Sequence, residues 1–118
     1  MAIGQMTLGN GSVYVGELAS GKPHGKGKET YPDGGVYEGG FVYGWASGFG
    51  IRTYTEYWKV YEGNWKNGDR HGYGKMTYQD GGVYEGNWEN NKRSGKGKMT
   101  EFFGSVKEGI WKDDEFVG

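Results

Sequence analysis

The chain has 118 residues, among them 26 glycines and 20 aromatic residues, and a formal net charge of −1. Leu, Ile, Val and Phe together number only 18, a shortage that signals disorder when net charge is also large, which here it is not. Three Ala and two Leu exclude a helical bundle, and no apolar run is long enough to cross a bilayer as a helix. The absence of cysteine excludes disulfides and thiolate chemistry. A pI near 6.1 argues against a nucleic-acid partner, whose binding domains carry a basic excess. The opening MAIGQMTLGN has neither a basic nor an apolar signal region, so the expected location is cytoplasmic.

The chain repeats itself. VYVGEL, VYEGGF, VYEGNW, VYEGNW and VKEGIW begin at Val13, Val36, Val60, Val83 and Val106, at spacings of 23, 24, 23 and 23 residues. Gly4–Ser12 runs in register with Gly74–Gly82, which makes residues 1–12 a half-repeat. Full repeats follow at 13–35, 36–59, 60–82 and 83–105, and a terminal half-repeat occupies 106–118. This phase leaves open both a longer array and an array capped by half-repeats. Within a repeat the pattern has period 2. Tyr61, Gly63 and Trp65 share one face of a strand, and Gly72, Gly74, Met76 and Tyr78 share one face of the next. Lys66–His71 joins the two as a β-hairpin. The whole chain then reads as an all-β, single-layer, twisted array of tandem antiparallel hairpins. Ten strands are predicted, in a ribbon about 45 Å long.

Glycine in the middle of a strand weakens pairing, so its recurrence needs a cause. Rings from a facing strand can lie over glycine and cover bare backbone. The expected result is one furrowed face of Tyr, Trp and Gly and one charged face. YEGNWKNGDRHGYGKMTYQDG at 61–81 and YEGNWENNKRSGKGKMT at 84–100 resemble the MORN-repeat family (membrane occupation and recognition nexus). The resemblance implies an elongated, hairpin-built array with an aromatic groove. It also implies a non-catalytic scaffold or protein-interaction module, at the cytoskeleton or membrane periphery.

Other chemistry is weakly supported. His24 and His71 lie two repeats apart, too far to share a metal, and read as turn-stabilising residues. Glu38, Glu62 and Glu85 recur along the charged face, and cross-strand pairing of Glu62 with Lys75, and of Glu85 with Lys96 or Lys98, is a simpler reading than a carboxylate pair for catalysis. The Gly-x-Gly-Lys strings at 25–28, 72–75 and 95–98 lack the spacing and the following helix of a phosphate loop. No catalytic residue, cofactor, metal or small-molecule substrate is expected.

The candidate partner groove is Tyr37, Phe41, Tyr61, Trp65, Tyr84 and Trp88, binding a protein segment or a second copy of the chain. Repeat 2 departs from the consensus with Tyr43, Trp45, Phe49, Tyr57 and Trp58, a candidate specificity cluster, since exposed Trp and Tyr are typical of binding hot spots. Lys75, Lys96 and Lys98 offer an alternative: a peripheral site for anionic phospholipid headgroups. A further alternative is a targeting fragment of a larger enzyme such as a lipid kinase. In the furrow, Glu29 and Arg52 stand where later repeats carry Met76 and Met99, near enough for long side chains to pair. Glu101 and Lys107 replace tyrosines and read as a cap on the aromatic stack.

Overall fold

The computed structural model describes residues 2–118. It contains β1 (Ala2–Thr7), β2 (Val13–Ala19), β3 (Lys22–Thr30), β4 (Val36–Val42), β5 (Trp45–Tyr54), β6 (Lys59–Lys66), β7 (Asp69–Thr77), β8 (Val83–Glu89), β9 (Lys92–Thr100), β10 (Val106–Lys112) and β11 (Glu115–Phe116). All eleven form one open antiparallel sheet in sequence order, measuring 46 × 23 × 18 Å. The eleventh strand corrects the expected ten. Asp113 and Asp114 both take positive φ, as Asn90 and Asn91 do one repeat earlier. The chain therefore turns back, and Phe116 pairs with Trp111. The signal was present, because Phe116 stands five residues after Trp111 just as Arg70 stands five after Trp65.

Each turn inside a repeat places two consecutive residues at positive φ, for example Asn67 at 50° and Gly68 at 83°. That is the type I′ geometry, whose twist matches a right-handed β-hairpin. Successive hairpins are then tied along this edge by backbone bonds, from Gly68 N–H to the Ala46 carbonyl at 3.0 Å and from Asn91 N–H to the Arg70 carbonyl at 3.2 Å.

The register explains the two glycines of Gly-x-Gly separately. Gly72 adopts φ +80°, a left-handed conformation that favours glycine. Gly74 pairs with Gly63, and a Cβ on Gly74 would overlap the phenol end of Tyr61. One glycine bends the strand, and the other seats a ring.

The same tyrosine repairs a defect. The β6–β7 register shifts between Gly63 and Trp65, a bulge that leaves the intervening residue, Asn64, out of the ladder. The Tyr61 phenol donates to the Asn64 carbonyl at 2.9 Å. Tyr14, Tyr37 and Tyr84 bond the carbonyls of Glu17, Gly40 and Asn87 in the same way, at 2.6, 2.8 and 2.9 Å. A phenol therefore supplies, in every full repeat, the donor that the bulge takes from the sheet.

Candidate functional site

The repeating rings form one continuous ladder. Tyr14, Phe41, Tyr37, Trp65, Tyr61, Trp88, Tyr84 and Trp111 meet edge to face in that order, with centroids 5.0–5.4 Å apart. This is the favoured geometry for aromatic pairs. Each indole also reaches back one repeat: Trp65, Trp88 and Trp111 donate to the carbonyls of Gly50, Gly74 and Gly97 at 3.1, 3.2 and 3.1 Å.

The expected groove residues are therefore the core. Tyr37, Phe41, Tyr61, Trp65, Tyr84 and Trp88 are all buried, the most exposed of them only 5% accessible. Rings cover one another along the ladder, and Leu18, Tyr54, Tyr78 and Met99 pack against them. In the C-terminal half the trough is also closed by arginines. The Arg70 guanidinium lies 4.9 Å from the Trp88 ring and bonds the Tyr54 phenol at 2.9 Å. Arg93 lies 4.8 Å from Trp111 and is held by Asp114 at 3.2 Å. Burial thus overrules the reading of these six side chains as an open contact surface. Pro23 and Ala46 hold the Arg70 position in the first two repeats, opposite Leu18 and Phe41, and neither can reach across. The rings there are still covered, but a cavity remains beside Ala46, lined among others by Leu8, Trp45 and Arg52.

The repeat-2 aromatics behave differently. Tyr43, Trp45, Phe49, Tyr57 and Trp58 are between 53% and 76% exposed. They do not form one cluster. Tyr43 and Trp45 occupy the hairpin edge, Phe49 projects from the middle of β5, and Tyr57 and Trp58 sit in the turn at its other end. Three of them carry positive φ: Tyr43 at 42°, Tyr57 at 56° and Trp58 at 28°. Bulky residues rarely occupy this region, and backbone strain of this kind gathers at functional sites.

The repeat geometry is that of a recognised module. The MORN repeat family model matches residues 14–36, 37–58, 61–83 and 84–100. The chain belongs to the MORN-repeat family. A comparison with curated proteins finds no match. MORN repeats are non-catalytic protein- and membrane-interaction modules, and no helix among the described residues is long and apolar enough to cross a membrane.

On the outer face of the MORN sheet the charges alternate. Glu62, Lys75, Glu85, Lys98 and Glu108 stand opposite one another on successive strands. They face each other without closing into salt bridges; among the described residues the closed pairs are Arg93–Asp114 and Lys107–Glu101, the latter at 3.5 Å. Two of the three candidate headgroup lysines, Lys75 and Lys98, are thus flanked on both sides by glutamates, and Lys96 stands opposite Ile110. His24 has the turn role expected of it, accepting the Tyr43 N–H at 3.2 Å while the two rings sit tilted with centroids 4.4 Å apart. No cluster of metal-ligating residues occurs among the described residues.

Glu29 and Arg52 do not pair as expected. The Arg52 guanidinium instead lies over two rings, 4.1 Å from Tyr31 and 4.5 Å from Tyr54. The Arg70 and Arg93 lids escaped the sequence reading, although an arginine five residues after Trp65 and again after Trp88 was a usable signal.

Burial raises the phenol pKa of Tyr37 and Tyr61 and pushes Tyr31 and Tyr84 up to about 12. An unfolded chain loses these protons near the ordinary value of about 10, whereas the folded chain keeps them. The stability they contribute is therefore complete below about pH 10 and is lost as pH climbs toward 12. Absorbance at 295 nm should show these phenols ionising only together with unfolding, and thermal midpoints should fall steeply above pH 10. Ionisation of all tyrosines in the folded state near pH 10 would contradict a buried ladder.

Proposed function

We propose that this MORN array is a non-catalytic scaffold that recognises a protein partner, or a second copy of itself, through the exposed aromatic residues of repeat 2. The observation that supports it most is the contrast between two sets of rings. The repeating rings are buried in the ladder, whereas Tyr43, Trp45, Phe49, Tyr57 and Trp58 stand exposed, three of them on strained backbone. Exposed Trp and Tyr bury large area at low entropic cost when a partner covers them. The proposed contacts fall in two groups, Tyr43 and Trp45 on the hairpin edge and Tyr57 and Trp58 beyond the other end of β5.

The double substitution Trp45→Ser and Trp58→Ser tests this. It should leave the thermal midpoint within a few degrees, because neither ring belongs to the core. It should also reduce partner capture, or dimer content in sedimentation, at least tenfold. Unchanged capture and unchanged oligomeric state in the folded variant would refute the reading. The lipid alternative predicts salt-dependent pelleting with anionic vesicles that is lost when Lys75, Lys96 and Lys98 become Glu. The flanking glutamates make this the weaker reading.

A further inference from the structure

The charges on the outer face follow an order with a symmetry of its own. The cross-strand row from Glu62 to Glu108 alternates acid and base. Lys28 and Glu38 extend it back to β3, with Ile51 as the single interruption. These side chains are exposed or half-buried, and among the described residues none of them closes a salt bridge. A second row runs beside the first and is partly apolar. Phe49, Tyr73 and Ile110 stand in it, opposite Asn64, Asn87 and Lys96, and all three rings or chains are exposed.

Two cavities open on this face. One of about 830 Å³ is lined by Val15, Lys26, Glu38 and Phe49, among others. The other, of about 470 Å³, is lined by Tyr73, Asn87, Lys98 and Ile110, among others. They lie in opposite halves of the ribbon, over β2–β5 and β7–β10. Exposed apolar side chains around furrows of this size mark an interaction surface, and the charge order says what fits it. Read backwards, the row presents an acid wherever the forward row presents a base. Glu108 then meets Lys28, Lys98 meets Glu38 and Lys75 meets Glu62, while Glu85 meets Ile51. A slip of one strand would instead set Lys98 against Lys28 and Glu85 against Glu38, and like charges facing each other exclude that register.

We infer that the outer face binds a second copy of the chain, in a two-fold dimer whose axis runs parallel to the strands between β6 and β7. Strand order reverses across such an axis. β6 lies over β7 of the other copy and β3 over its β10, so each row faces its own equivalent. The contact is isologous, and every Lys–Glu pairing occurs twice. In the second row Phe49 comes over Asn87 in the smaller cavity of the other copy, and Ile110 comes over Lys26 in the larger one. The sheets stack as those of a β-sandwich do, within about 30° of alignment. The face spans 46 × 23 Å, room for the about 800 Å² per partner of a stable interface. The ion pairs fix the register and add little affinity, which comes from covering Phe49, Tyr73 and Ile110. This assignment rests on the interaction-module reading. It gives self-association a surface of its own and leaves Tyr43, Trp45, Tyr57 and Trp58 for a different protein.

The test is sedimentation equilibrium of the full chain at low salt, where a concentration-dependent dimer is expected. Glu62→Lys and Lys75→Glu should each weaken it about tenfold or more, because each sets like charges together twice at the axis. Mixing the two variants should restore a heterodimer, since Lys at 62 in one copy then faces Glu at 75 in the other, and the remaining pair, Lys75 on Glu62, is unchanged. Glu38→Lys and Lys98→Glu repeat the experiment at a second place and serve if a β6 or β7 variant fails to fold. A chain that stays monomeric, a dimer indifferent to the charge reversals, or a mixture that forms no heterodimer would overturn the inference. So would a monomer whose capture of some other protein is lost on Glu62→Lys, which would give the face to that protein. Trp45→Ser with Trp58→Ser should leave this dimer intact while losing the captured partner. Loss of the dimer in that folded variant would return self-association to the repeat-2 aromatics, so the two readings fail separately.

Discussion

Gly74→Ala is expected to destabilise the protein by about 3 kcal/mol, the upper range for forcing an atom into a packed core. Gly74 has an ordinary φ, so the added methyl meets no backbone penalty, and reduced freedom of the unfolded chain would on its own favour the variant. The cost is steric. The new Cβ falls where the Tyr61 ring lies, and moving that ring also breaks its bond to the Asn64 carbonyl, orphaning the bulge. Gly81→Ala provides the contrast. Gly81 has φ +95° with no atom within 4 Å of a new Cβ, so it should lose only the conformational share, about 1 kcal/mol. Urea unfolding of the two variants measures the difference. Equal losses would mean that Gly74 is conserving conformation and does not seat a ring.

Trp88→Ala should cost about 4 kcal/mol, within the range for deleting a buried indole. Trp88 is 4% exposed and joins two rungs of the ladder, meeting Tyr61 at 5.4 Å and Tyr84 at 5.2 Å. Its N–H satisfies the Gly74 carbonyl, and its ring carries the Arg70 lid. Repeat arrays hold together through neighbour interfaces, so a break here should separate the array into two weakly coupled halves. Calorimetry should show a lowered midpoint and a broadened transition. A loss under about 1 kcal/mol with unchanged cooperativity would show that the ladder is not the source of stability. Trp45→Ala, by contrast, should fall within the small range typical of surface changes, about 0.5 kcal/mol.

The repeat phase, the hairpins and the seating of rings on glycine were legible because each rests on local spacing: Tyr61, Gly63 and Trp65 on one face, Gly72 and Gly74 on the next. What period 2 does not carry is what covers a face once it is made. Tyr37, Tyr61 and Tyr84 read as an open furrow because the sheet has a single layer, yet the rings close on one another and Arg70 and Arg93 reach over from the hairpin edge. The departures in repeat 2 are visible as departures, but nearness along the chain is not nearness in space. Trp45 opens the ten-residue β5, whereas Trp58 lies in the turn beyond its other end. Glu29 and Arg52 were placed on the trough floor by register alone. That they remain unpaired depends on the competing faces of Tyr31 and Tyr54, which spacing cannot weigh.

Hydroxyl-radical footprinting of the intact chain, read residue by residue by mass spectrometry, tests the division of rings most directly. Tyr43, Trp45, Tyr57 and Trp58 should oxidise at least tenfold faster than Tyr61, Trp65, Tyr84 and Trp88 in the folded protein. Adding a captured partner should protect Trp45 and Trp58 first. Comparable oxidation of Trp45 and Trp65 in the folded chain would contradict a closed ladder with its recognition surface outside it.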